Sequence, residues 1–157
     1  MWLGLAVAVV VALLDQGAKA WILRLFAARP DVHVIHVTSF LNFALTMNRG
    51  MSFGLFNSDA NANALIFAVV AAVIVAALLV WLKHAHDRLL EIGIGLVIGG
   101  AIGNVADRLT RGAVVDFLDV HAGPWHWFVF NLADAAISVG VALMLIDGLR
   151  GRREARN

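Results

Sequence analysis

The side chains best placed to do chemistry lie in one stretch, Gly99 to Ile137, which reads GGAIGNVADRLTRGAVVDFLDVHAGPWHWFVFNLADAAI. Its two ends are apolar enough to be membrane helices, yet they carry Asn104, Asp107, Arg108, Asn131 and Asp134. A short connecting loop between them holds Asp116 and Asp119. A carboxylate at membrane depth is costly, so an ionisable group there marks a functional site. Asp116 and Asp134 form the pair of greatest interest. Two carboxylates held together in a low-dielectric site cannot both ionise readily, and one keeps a proton. The charged member can then act as general base on a water while the protonated one polarises a carbonyl. That is the chemistry of an aspartyl protease, and it needs neither metal nor cofactor. The competing structural reading pairs Asp134 with Arg108 or Lys19 as a buried ion pair and leaves Asp116 as a loop cap.

Other polar groups have plainer uses. Asp15 and Lys19 are four residues apart with the acid first, the favourable order on one helix face, and read as a mutually neutralising pair. Asn104 lies three residues before Asp107 and four before Arg108. Gly95, Gly99 and Gly103 repeat every four residues, the small-residue pattern of close helix packing in lipid, and would bring the Asn104 face against a neighbour. Asn131 shares a face with Asp134, within reach of the acidic pair. Gly50-Met51-Ser52-Phe53-Gly54 matches a G-x-S-x-G elbow, but that motif has meaning only in an α/β-hydrolase sheet. Ser52 with His121 or His126 would be the corresponding intramembrane serine arrangement, although Ser52 lies outside any hydrophobic segment. The six histidines are read as loop or interfacial residues, and no metal site is expected.

These residues need elements to position them. The chain of 157 residues is 61% hydrophobic and 15% charged, against about half and about a quarter in soluble domains. Leu65 to Leu82 carries no charge and is long enough to cross hydrocarbon, which needs roughly 20 apolar residues. The expected fold is an all-α integral membrane protein, a single membrane domain over 1–157. Its four transmembrane helices fall at about 2–26, 62–82, 89–108 and 128–149, with a β-like external region at about 31–56. Imperfect alternation of β-branched and aromatic residues suggests the short strands. Net charge is +1, without the basic face that nucleic acid requires, and with no cysteine there is no thiolate chemistry.

Four helices with both termini on one side place the basic turn at 83–88 and the basic tail at 150–156 together. The positive-inside rule then makes the termini cytoplasmic and puts Trp125, Trp127 and Phe128 in an aromatic belt at the outer interface. Asp15, Lys19, Asn104, Asp107, Asn131 and Asp134 all fall at the depth of the outer leaflet. A proton relay or small transporter, the rival function, would need polar groups across the whole membrane. A scaffold whose acids only hold helices together is a third possibility.

The motifs resemble those of type II signal peptidase, the bacterial lipoprotein signal peptidase family, over almost the whole chain. They occur in the family's order: Asp15-Gln16 with Lys19; Asn48-Arg49-Gly50 leading to Phe53-Gly54; Gly99-Gly100 with Gly103-Asn104 and Asp107-Arg108; Val114-Val115-Asp116-Phe117; and Phe130-Asn131-Leu132-Ala133-Asp134. The resemblance implies an aspartyl endopeptidase of the bacterial cytoplasmic membrane. Such an enzyme removes signal peptides from prolipoproteins on the N-terminal side of a diacylglyceryl-modified cysteine. By position it makes Asp116 and Asp134 the catalytic pair. Asp15, Lys19, Asn48, Gly50, Asn104, Asp107, Arg108 and Asn131 then line or support the site. It also implies a small external β-structure cradling substrate, supplied by the 31–56 region. No cofactor is implied. The partners are lipid-modified prolipoproteins and membrane lipids, with no obligate protein partner. Ala18, where a hydroxyl residue is common, and Met51, where a smaller residue is frequent, depart from the family pattern and bear on substrate preference.

Overall fold

The computed structural model describes residues 1–49 and 60–154. Four helices, α1 (Trp2–Ala27), α2 (Ala60–Lys83), α3 (Arg88–Arg111) and α4 (Leu132–Glu154), are joined by four strands, β1 (Val34–His36), β2 (Leu41–Asn48), β3 (Val114–Ala122) and β4 (Trp125–His126). Each helix contains a stretch long and apolar enough to cross a membrane.

Helix α3 is the axis of the bundle. Of its spanning window 44% is buried, against 11–22% for the other three. Glycine explains the difference. Gly95 and Gly99 lie directly against the backbone of Gly4 and Ala8 on α1, so that a Cβ at Gly99 would stand 2.6 Å from the Ala8 carbonyl oxygen. On another face, Gly93 meets Gly140 and Gly100 meets Ala133, both on α4. The expected four-residue glycine period therefore packs α1, and further glycines pack α4. Asp87 caps the start of α3 by accepting from the Leu89 N–H (2.7 Å). Gly112, in the left-handed conformation at φ 71°, ends the helix and turns the chain into β3. One face of α2 carries Leu65, Val69, Val73 and Val80 outward, as a lipid-facing helix requires.

The strands form one antiparallel sheet in the order β1-β2-β3-β4, set on the end of the bundle where α1 and α3 finish. Its apolar side rests on α1 through Ile22, Phe26 and Phe117. Two expectations need correction here. Asp116 and Asp119 are not in a loop: both lie on β3, whose residues are mostly covered on both sides. The alternation that betrays a half-exposed strand is therefore missing from this segment. The sheet also extends well beyond the expected 31–56 region, since β3 and β4 supply half its strands. Helix α4 begins at Leu132, because Phe130 is still bridged to Leu118 of β3 and Asn131 caps the helix. Trp125, Trp127 and Phe128 are exposed and pack edge-on against one another at the rim of the sheet. Gly50 and the whole 50–54 G-x-S-x-G match lie outside the described residues.

Candidate active site

Where the sheet meets the bundle, α1, β2, β3, α3 and the start of α4 direct their polar side chains into one cluster. It has two halves.

The first is built on a cation. Lys19 is completely buried and donates to Asp15 Oδ2 (2.8 Å), Asp107 Oδ2 (2.8 Å) and Asn104 Oδ1 (3.0 Å). An ammonium has three protons, and each has an acceptor. The second oxygen of Asp107 is taken by Gln16 Nε2 (3.1 Å) and by Arg111, and Asp107 Oδ2 also accepts the Val115 N–H (3.1 Å), which fixes the start of β3. Asp15 Oδ1 accepts the Ala133 N–H (3.0 Å), one of the donors that the first turn of a helix leaves without an intrahelical partner. This half thus ties α1 to α3, β3 and α4. Gly103 makes room for it, because a Cβ there would collide with the Asp15 carboxylate.

The second half is built on amides. Asp116 Oδ1 accepts from Asn131 Nδ2 (2.6 Å) and Oδ2 from Asn48 Nδ2 (2.9 Å). Asn48 is paired across the sheet with Val114, so it reaches Asp116 as a diagonal neighbour on the same face. Asp134 Oδ1 accepts from Asn104 Nδ2 (2.8 Å), and its Oδ2 from the backbone N–H of Asn131 (3.3 Å). In return the Asn131 side-chain oxygen accepts the Asp134 N–H (2.9 Å). This is a capping box at the N-terminus of α4 with an acid at the third helical position. One residue, Asn131, therefore touches both acids. Arg108 donates to the Asn104 carbonyl oxygen (3.3 Å) and lies over the Phe67 ring of α2.

The electrostatics separate the acids further. Asp116 is 2% exposed. That burial pushes its carboxyl above the usual range, and the nearby Asp134 charge adds to the rise, while the amides of Asn48 and Asn131 partly offset it. A protonatable acid thus stands beside a second acid, with no lysine or arginine within salt-bridge distance of either among the described residues. An acid pair of this kind, one member buried and the other half-buried, can activate a water and protonate an oxygen or nitrogen at the same centre.

Of the residues singled out from sequence, Asp15, Lys19, Asn48, Asn104, Asp107, Arg108, Asp116, Asn131 and Asp134 are brought together in this cluster; Gly50 lies outside the described residues. Among the described residues the ion pairs in it join Lys19 and Arg111 to Asp15 and Asp107, and Asp134 is in none of them. Gln16 and Arg111 complete the cation half and escaped sequence reasoning as site residues. Arg111 stands four residues after Asp107, a spacing that could have found it. A separate polar group lies on the sheet. Asp119 accepts from Asn42 (3.0 Å) and contacts His126 (2.9 Å), which stacks on His121. Among the described residues no group of His, Asp and Glu is arranged to hold a metal ion.

Comparison with known proteins places this geometry. Residues 7–150 match the family model described as signal peptidase (SPase) II. The chain is 43% identical over 157 residues to a lipoprotein signal peptidase of Burkholderia cenocepacia (strain HI2424), covering 99% of this chain and 91% of the relative. It is 40% identical over 150 residues to a lipoprotein signal peptidase of Methylorubrum extorquens (strain PA1), covering 94% and 85%. Among solved structures it is similar to a bacterial membrane enzyme determined by the in meso method at 1.9 Å resolution. That similarity has a TM-score of 0.77 and 28% identity, over 93% of this chain and 92% of the other.

Proposed function

The chain belongs to the signal peptidase II family, and from that premise we propose that Asp116 and Asp134 are the catalytic pair with which it cuts. The protein is a multi-span membrane protease that removes signal peptides from prolipoproteins. The observation that carries the proposal about its acids is Asn131, which binds Asp116 through its side chain and Asp134 through its backbone. In aspartyl hydrolysis one carboxylate takes a proton from water while a carboxylic acid protonates the scissile group. The polar cluster supplies two acids for this, neither of them in an ion pair among the described residues.

The remaining residues support the pair. Asn104 and Asn131 orient the acids, and Lys19 with Asp15 and Asp107 fixes the helices from which they project. Arg108 lies beside the acids, within electrostatic reach of a developing oxyanion. The substrate is a prolipoprotein whose diacylglyceryl-cysteine stays anchored in the bilayer, with the bond on the N-terminal side of that cysteine delivered to the cluster. Anchoring in lipid makes the encounter effectively intramolecular. The protein sits in the bacterial cytoplasmic membrane as one membrane domain, with termini inside and the sheet at the outer leaflet. Clustering of basic residues on the side of the termini supports this. A transporter or proton relay is not favoured, because the family is one of proteases and the cluster occupies only one end of the bundle.

The test is replacement of Asp116 or Asp134 by Asn, followed by the mobility shift of a lipidated prolipoprotein. Loss of about 100- to 10,000-fold in kcat/KM is expected. A folded variant that cleaves at the normal rate would show the acids to be structural.

A further inference from the structure

We infer that Phe67, on the otherwise unfunctionalised helix α2, is a positioning residue: its ring face seats the Arg108 guanidinium beside the two acids and out of an ion pair with either. The inference rests on reading Asp116 and Asp134 as the catalytic pair and Arg108 as the cation within reach of the developing oxyanion.

Charge alone would put Arg108 elsewhere. A guanidinium stays charged in a protein, and its flat fork of N–H donors matches a carboxylate. Arg108 lies within electrostatic range of Asp134 and Asp116, one helical turn beyond Asn104, which itself binds Asp134. Yet among the described residues neither acid is in an ion pair. The cation half behaves differently, since Lys19 and Arg111 are both drawn onto its carboxylates. Two contacts hold Arg108 back. Its hydrogen bond to the Asn104 carbonyl oxygen is long, at 3.3 Å, and ties it only to its own helix. The other is the Phe67 ring, whose centroid lies 5.2 Å from the guanidinium carbon. The face of an aromatic ring attracts a cation, and does so more strongly where water is scarce. Both residues are half-buried.

Helix α2 brings nothing else to the cluster. Leu65 to Leu82 is uninterrupted hydrocarbon, and the other aromatic residue of the helix, Trp81, stands at its far end. A ring is apolar enough for such a helix and still attractive to a cation. Its effect is twofold. A guanidinium bound to a carboxylate would weaken that group as a base. It would also be lost to the carbonyl oxygen on which negative charge grows during hydrolysis. Seated on Phe67, Arg108 stays close to the reacting centre and leaves the acids to their amide donors.

The test uses the full-length enzyme and a lipidated prolipoprotein. Phe67→Leu keeps an apolar side chain but removes the ring face. Its kcat is expected to fall about 3- to 30-fold with KM nearly unchanged, the span of a cation–ring contact from exposed to desolvated. Phe67→Trp, which offers a stronger ring face, is expected to keep most of the parental kcat. In an Arg108→Gln background the ring has no cation to seat, so adding Phe67→Leu is expected to cause no further loss. Equal losses in both backgrounds would show that the ring only fills space, and would overturn the inference. Parental kcat in folded Phe67→Leu, a loss carried by KM alone, or a Trp variant as slow as the Leu variant would overturn it too. Ring-fluorinated phenylalanine at position 67 keeps the shape while draining the ring face, and decides the matter if Phe67→Leu does not fold or Arg108→Gln is too slow to measure. Falling kcat with each added fluorine supports the seat, and constant kcat overturns it. Normal cleavage by folded Asp116→Asn or Asp134→Asn would instead remove the catalytic reading on which the inference rests.

Discussion

The two halves of the polar cluster use the same residue type for opposite ends. Asp15 and Asp107 share a buried lysine, with Arg111 on the outer side of Asp107. Asp116 and Asp134 meet amides and a backbone N–H. An acid matched by a cation has its charge spent on holding helices together. An acid held by neutral donors is oriented by its hydrogen bonds without a bound counter-charge. The cation half ties the helices together, and on the proposed reading the amide half does the chemistry.

The largest test of that contrast is Lys19→Met. Two buried carboxylates would lose their shared cation, and breaking a buried pair by removing one partner costs about 3–5 kcal/mol. A steep fall in detergent-solubilised melting temperature is expected; an unchanged value would mean the cation half does not hold the bundle. A smaller effect of opposite sign is expected from Asp116→Asn. The raised Asp116 carboxyl binds its proton more tightly in the folded than in the unfolded state. Its ionisation therefore removes stability as pH rises through the folded value. The Asn variant escapes that loss, so its stability relative to the parent should improve from acid to alkaline pH even as activity disappears. A parallel pair of curves would contradict the burial argument.

The smallest effect belongs to Asp119 on the sheet. Burial would raise its carboxyl, but hydrogen bonds from Asn42 and His126 outweigh it and hold the group below the usual range. Its contribution to stability is present above the unfolded value and is lost as pH falls through the folded one. Asn42→Leu should raise the Asp119 titration, followed by carboxyl NMR, with only a slight change in melting. No movement would show that the cross-strand amide does not bind the charged acid.

Legibility in the sequence followed the range of the interaction. Helix spans were visible because lipid demands long apolar runs, and the glycine period of α3 was visible because packing repeats with the helix. Asp15 and Lys19 declared themselves through an i,i+4 spacing. The motif resemblance gathered Asn48, Asn104, Asp116, Asn131 and Asp134 into one site, and the structure brings them together. What escaped was cross-strand. β3 is covered on both sides over most of its length, which hides the alternation of a strand, and the partners of Asp119 come from β2 and β4, which no local spacing connects. The start of α4 was placed early because Phe128 to Phe130 are as apolar as the helix that follows; the capping role of Asn131 is what sets the boundary.

That cap has a further consequence. Because Asn131 spends one end of its amide on the first turn of α4 and the other on Asp116, the seating of the final helix and the aim of a strand carboxylate are one and the same contact. On the proposed reading, a substitution that loosens that helix end would blunt the acids before it unfolds the chain.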